Sequence, residues 1–108
     1  MNEQISTNQH AHNLCLRLEQ CLAANPGGGS NPEALLEMRS AGLQLTRTSG
    51  LFEEKVSSLL IWADILYSPR KHARWSSPYQ SGAEAIAHFI RCDLASIKTI
   101  LWRMDDGI

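Results

Sequence analysis

Residues 35–66 read LLEMRSAGLQLTRTSGLFEEKVSSLLIWADIL. Within them Leu35, Met38, Gly42, Leu45, Ser49, Phe52, Val56, Leu59, Ala63 and Leu66 follow one another at intervals of three or four. A helix brings such positions onto one stripe, so the spacing predicts one long helix, or two helices in one register, with a continuous seam for packing. Unbroken from Pro32 to Tyr67, that helix would be about 54 Å long at 1.5 Å per residue, far beyond the average globular helix. A break near Gly50 is therefore expected. Arg47 suits the end of a first helix, Gly50 a terminator, and Glu53 and Glu54 the first turn of the next. The small and polar seam positions Gly42 and Ser49 make the first half of the seam the weaker one, leaving Phe52–Leu66 to carry the packing.

The flanking sequence reads the same way. Ser6 and Gln9 form a capping-box pattern opening a helix with Thr7, Ala11, Leu14, Leu18 and Cys21 on one stripe, running to about Ala24. Asn25-Pro-Gly-Gly-Gly-Ser-Asn-Pro32 stops it, because proline removes a backbone donor and glycine is the costliest residue to order. Residues 25–31 read as a flexible linker. Asn31, Pro32 and Glu33 then supply a cap, a preset first residue and an acid for the helix dipole. Residues 68–80, with two prolines, three serines and three basic side chains, read as a basic loop. A second capping box, Ser81 and Glu84, opens a last helix with Ala83, Ile86, Ile90, Asp93, Ile97, Ile100 and Met104 as its seam. The fold class is all-α: a small antiparallel bundle of three to four helices.

Size and composition bound the rest. A chain of 108 residues, 44% hydrophobic, supports one core, so residues 1–108 are read as a single helical domain. Three cysteines with no CxxC pair argue against a secreted disulfide framework. The polar amino terminus has no signal-peptide pattern, and no apolar run approaches the roughly 18 residues of a membrane span. A soluble cytoplasmic protein, with no membrane association, is the expectation. The net charge of -1 is unevenly spread. Met1–Asp64 holds four Lys or Arg against seven Asp or Glu, whereas residues 65–104 hold six against two, a basic carboxy-terminal third.

Several residues stand out against this background. Leu59–Tyr67 is apolar on more than one stripe, with Ile61 and Ile65 nearly opposite the main seam. Such a helix is either central in its bundle or touches another chain, and the first is the expected arrangement. If a partner chain exists, Ile61, Trp62 and Ile65 are the residues that would meet it. Asp93 is the one charge among the seam positions of the last helix, and it reads as a buried polar specifier paired to a facing helix. The basic surface has two parts: Arg70, Lys71, Arg74, Trp75 and Tyr79 in the loop, and Arg91, Lys98 and Trp102 on one face of the last helix. That surface suits an acidic protein partner, and less well phosphates and stacked bases.

The chemistry-bearing inventory is thin. His12 with Cys15, and His88 with Cys92, have spacings that a two-His, two-Cys metal site tolerates, but such pairs on helices are mostly incidental and no metal is expected. Gly27–Gly29 lacks the Lys-Ser/Thr of a phosphate loop, and no GxSxG or HExxH is present. No catalytic residue and no cofactor are expected. The functional expectation is a small bacterial-type interaction module, an adaptor, anti-activator or chaperone-like regulator that binds a protein partner or itself. Nucleic-acid association is the alternative, and a small-molecule binder or enzyme using Asp93 and His88 beside a cavity comes third.

Overall fold

Asn31 shows how local sequence starts a helix here. Its side-chain carbonyl accepts the Ala34 amide at 3.0 Å, Pro32 occupies the first helical position and Glu33 the first turn. The computed structural model describes residues 2–26, 30–68 and 80–105, the side chains of residues 2–7 and 80–81 excepted. Among them are four α helices, α1 (Asn2–Ala24), α2 (Pro32–Thr48), α3 (Glu53–Tyr67) and α4 (Gln80–Asp105), and no strand. The all-helical bundle expected from the spacing is the observed fold. α1 begins at Asn2, four residues before the expected cap at Ser6.

The helices form a ring in which each packs on its chain neighbours and α4 closes back onto α1. Cross-helix contacts give the directions. Arg17 meets Glu37 while Cys21 meets Ala34, so α1 and α2 run antiparallel. His12 meets Asp105 while Lys98 meets Glu19, so α1 and α4 do likewise. Ser58 with Asp93 and Trp62 with Phe89 set the same relation between α3 and α4. This is an up-down-up-down bundle, the arrangement that short connections favour.

The break in the long seam falls at Ser49. Its backbone is extended (φ -161°, ψ 136°), its amide donates to the Leu45 carbonyl at 3.2 Å, and its hydroxyl accepts the Leu51 amide at 3.2 Å. A single turn of 3-10 helix, Gly50–Phe52, then leads into α3, whose first turn holds Glu53 and Glu54. Gly50 does not occupy the left-handed region, and a Cβ there would have nothing within 4 Å. A serine cap, rather than a glycine terminator, therefore ends α2.

Both halves of the seam are buried. Leu35, Met38, Ala41 and Leu45 of α2 face Phe52, Val56, Leu59, Ala63 and Leu66 across the core. Gly42 is not a weak point. A Cβ at that position would lie 3.2 Å from both the Val56 Cγ1 and Leu60 Cδ2 atoms, so its absence lets α3 sit close against α2. No helix is central, because a ring of four leaves one face of each to solvent. α3 is no exception: Ile61 is 60% exposed, correcting the expectation of a helix buried all round.

At the end of the bundle where α1 passes into α2, Tyr67 is fully buried, and its hydroxyl donates to the Asn25 carbonyl at 2.8 Å. Asn31 donates its backbone amide to the Tyr67 carbonyl at 3.0 Å and its side-chain amide to the Asn25 side chain at 2.8 Å. The linker expected over 25–31 is thus tied at Asn25 and Asn31, and residues 27–29 lie outside the described residues.

Two substitutions test this account in urea unfolding. Gly50→Ala should raise stability by about 0.4–1 kcal/mol, since the backbone conformation is ordinary and the added methyl meets open space. Tyr67→Phe should lower it by about 0.5–1.5 kcal/mol, the net worth of one hydrogen bond, with the ring still filling its place.

Candidate functional site

Helical drift decides what the last helix shows to its surroundings. Past Ile90 the buried positions of α4 are Leu94, Ile97 and Leu101, while Asp93, Ile100 and Met104 stand beside the core, half-buried. Both sets obey three-four spacing, but only the first stays under the other helices. Asp93 is therefore half-buried rather than buried, while the expected pairing to a facing helix is formed. It sits on the edge between α3 and α4, where its carboxylate accepts a hydrogen bond from the Ser58 hydroxyl at 2.6 Å.

One turn along that edge lies an apolar cluster. The rings of Trp62 and Phe89 stack at 4.8 Å between centroids with a 32° tilt. Phe89 remains 43% exposed, Ile61 beside Trp62 is more exposed still, and Ile65, one turn on, is half-buried. The structure thus brings Ile61, Trp62 and Ile65 together and adds Phe89, which spacing alone did not single out. The signal for Phe89 was available: a large aromatic one residue before the buried Ile90, on the flank that also carries Asp93. Leu36 and Leu43 are exposed on the outer face of α2, and Leu16 and Leu51 are exposed elsewhere.

The basic surface is less basic than its composition. Arg70, Lys71, Arg74, Trp75 and Tyr79 lie outside the described residues. Lys98, expected on a free outer stripe, instead donates to the Glu19 carboxylate of α1, and that hydrogen bond raises the pKa of its ammonium group. Arg91 lines a mainly apolar concavity of about 260 Å³ between α1 and α4, together with Glu19, Leu22, Ala23 and Leu94. Trp102 is 68% exposed. The stripe thus runs along the flank facing α1, where an acid neutralises its lysine.

Other ion pairs serve the same flank-closing purpose. Arg17 and Glu37 form a two-point pair at 2.7 and 3.0 Å that raises the arginine and holds the glutamate below its usual range. His12 reaches Asp105 at 2.7 Å, and Arg39 reaches Asp64 at 3.2 Å.

The cysteine and histidine pairs separate. Cys15 is buried in the core, which pushes its thiol up to about 11, and His12 is engaged with Asp105. Cys21 is also buried and donates to the Ala34 carbonyl at 3.5 Å. Cys92 is exposed on α4, 3.5 Å from His88 Nε2. Among the described residues no group of three or more His, Cys, Asp or Glu is placed to hold a metal ion. Neither Asp93 nor His88 lines the α1–α4 concavity, so the arrangement expected of a small-molecule site beside those two residues is not formed there. Among the described residues no helix is long and apolar enough to cross a membrane.

Ser58→Ala should cost about 1 kcal/mol in chemical denaturation, the worth of a half-buried bond to a carboxylate. Asp93→Asn keeps an acceptor for the same hydroxyl and should cost less than Ser58→Ala, an order that a buried, charge-specific role for Asp93 would reverse. Compared with known proteins, the chain matches no family model, no curated sequence and no solved structure.

Proposed function

We propose that this chain acts by binding another protein, as an adaptor, anti-activator or chaperone-like regulator, and that the partner docks on the α3–α4 edge. The observation that carries the reading is the stacked pair of Trp62 and Phe89 on the α3–α4 edge, with Ile65 half-buried on α3 and Ile61 exposed on the adjoining outer face of that helix. Stacked aromatics of this kind concentrate binding energy, because they present large rigid area at small entropic cost. Ser58 and Asp93, one turn away, supply the polar border that orients a docked segment. An amphipathic helix laid along the edge would bury the cluster as a fifth element of the ring.

Binding, not catalysis, is the role proposed, and a protein partner is favoured over nucleic acid. The engagement of Lys98 by Glu19 supports that preference, since a phosphate would have to displace an intramolecular carboxylate to reach it.

The test compares Ile61→Glu with Leu36→Glu, both at exposed positions where stability should change by no more than about 0.5 kcal/mol. Affinity capture with each variant, alongside sedimentation of the purified proteins, reads partner and self-association separately. A protein retained by the unmodified chain and by Leu36→Glu, yet lost with Ile61→Glu, is the expected result. Identical retention by all three would reject the α3–α4 edge as the docking surface.

A further inference from the structure

His88 and Cys92 are four residues apart on α4, and both are exposed. Residues at that interval stand one above the other on a helix face. Their ligating atoms are already convergent, with His88 Nε2 and Cys92 Sγ 3.5 Å apart. In a tetrahedral zinc site, bonds of roughly 2.05 Å to imidazole nitrogen and 2.3 Å to thiolate place those two atoms about 3.6 Å from each other. An ion can therefore enter between them with the side chains essentially where they stand. A thiolate with an imidazole selects zinc and similar borderline or soft ions over magnesium or calcium, which want oxygen.

Two ligands leave two positions open, and no further His, Cys, Asp or Glu among the described residues is placed to fill them. A second copy of this chain offers the same two groups. Ala85, Ala95 and Thr99 beside the pair are exposed and short, while Glu84 and Arg91 flank it with long, flexible side chains that can turn aside for a second α4. A two-fold axis through the ion would bring the same His and Cys from that second helix, giving a Cys2His2 set through an isologous contact.

We propose that His88 and Cys92 form half of a tetrahedral zinc site that a second copy of this chain completes. Each Cys92 thiol releases its proton to solvent as the zinc–sulfur bond forms, and each His88 binds through a neutral Nε2 and loses none. Cys15 and Cys21 take no part, since both are buried in the core. The inference does not rest on the docking surface proposed above: the His88 and Phe89 ring centroids are 6.1 Å apart, so the two surfaces adjoin, but the metal pair requires no partner on Ile61.

The experiment titrates the reduced full chain with zinc chloride, follows stoichiometry by calorimetry and mass by sedimentation, and repeats the titration with cobalt(II) to read thiolate-to-metal absorption. One zinc per two chains, a dimer that forms with the metal and dissociates with chelator, and a cobalt–thiolate band are expected. Cys92→Ser and His88→Ala should each weaken zinc binding by at least about tenfold, since even outer-shell losses cost that much at such sites. Both should abolish the metal-linked dimer, whereas His12→Ala should leave it intact. Binding of one zinc to a monomer, or a zinc-linked dimer that persists in Cys92→Ser, would overturn the proposal. A dimer that forms without metal and is lost with Ile61→Glu bears only on the α3–α4 edge, so failures of the two readings are distinguishable.

Discussion

Tyr67 joins the two things this small bundle needs, a filled core and a fixed end. Its ring is sealed among the apolar side chains while its hydroxyl reaches the Asn25 carbonyl, and its own carbonyl receives the Asn31 amide. Three chain segments therefore meet at one residue: the end of α1, the start of α2 and the end of α3. Without that tie, each amphipathic helix could still bury a stripe, but nothing at this end would hold the turn into α2 against the last turn of α3. Burial has a second consequence, raising the phenol's pKa well above its usual value and so keeping it neutral, as a donor, at any physiological pH. At the other end Ser49 does the matching work, using its amide and hydroxyl to close one helix and begin the next.

Much of this was legible in the sequence because it is local or periodic. The seam of α2 and α3 runs as its spacing reads, and the Asn31-Pro32-Glu33 start is the observed one, since capping depends on groups within a few residues of each other. The last helix was harder for a physical reason. After Ile90 the chain offers two stripes, Asp93-Ile97-Ile100-Met104 and Leu94-Ile97-Leu101, and both satisfy three-four spacing. Helical geometry cannot choose between them. What chooses is burial: Leu94 and Leu101 are wholly apolar, while the other stripe would carry a carboxylate inward at a desolvation cost. Treating Asp93 as part of a seam led to a buried specifier; treating it as the reason to rotate the seam would have led to the edge. Tyr67 and Asn25 were not legible at all, because a hydrogen bond across 42 residues has no local signature. Phe89 lay in view, but its importance depends on Trp62 opposite, which only the packing of α3 on α4 reveals.

Charge was the least faithful guide. Most of the basic excess of residues 65–104 comes from Arg70, Lys71 and Arg74, which lie outside the described residues, whereas α4 itself balances Arg91, Lys98 and Arg103 against Glu84, Asp93 and Asp105. Lys98 finds Glu19 and Asp105 finds His12. Exposed pairs of this kind contribute little stability each, commonly well under about 1 kcal/mol. Their larger effect is on alignment: pairs at both ends of the α1–α4 contact, with Arg17–Glu37 between α1 and α2, fix how far one helix is displaced along another. Like contacts between wrong registers would leave charges unmatched, which is a more effective constraint than the energy of any one pair.

The distribution of these pairs around the ring also bears on the docking surface proposed above. The α1–α2, α2–α3 and α1–α4 edges each carry an ion pair bridging the two helices. Gly42 adds to this at α2–α3, letting the helices close so tightly that Leu60 and Val56 fill the space beside it. Among the described residues the α3–α4 edge has no ion pair across it. It is joined instead by one serine–aspartate hydrogen bond and one pair of stacked rings, with Ile61 left in water beside them. A partner covering any of the first three edges would have to desolvate charges already satisfied within the chain, and the pairing it offered would replace rather than add. Under the proposed docking, the same partner at α3–α4 would remove apolar surface from water and displace no ion pair among the described residues. Exposed apolar side chains also stand on other faces, Leu36 and Leu43 on α2 and Trp102 on α4, so what sets the α3–α4 edge apart is its stacked rings and, among the described residues, the lack of an ion pair across it.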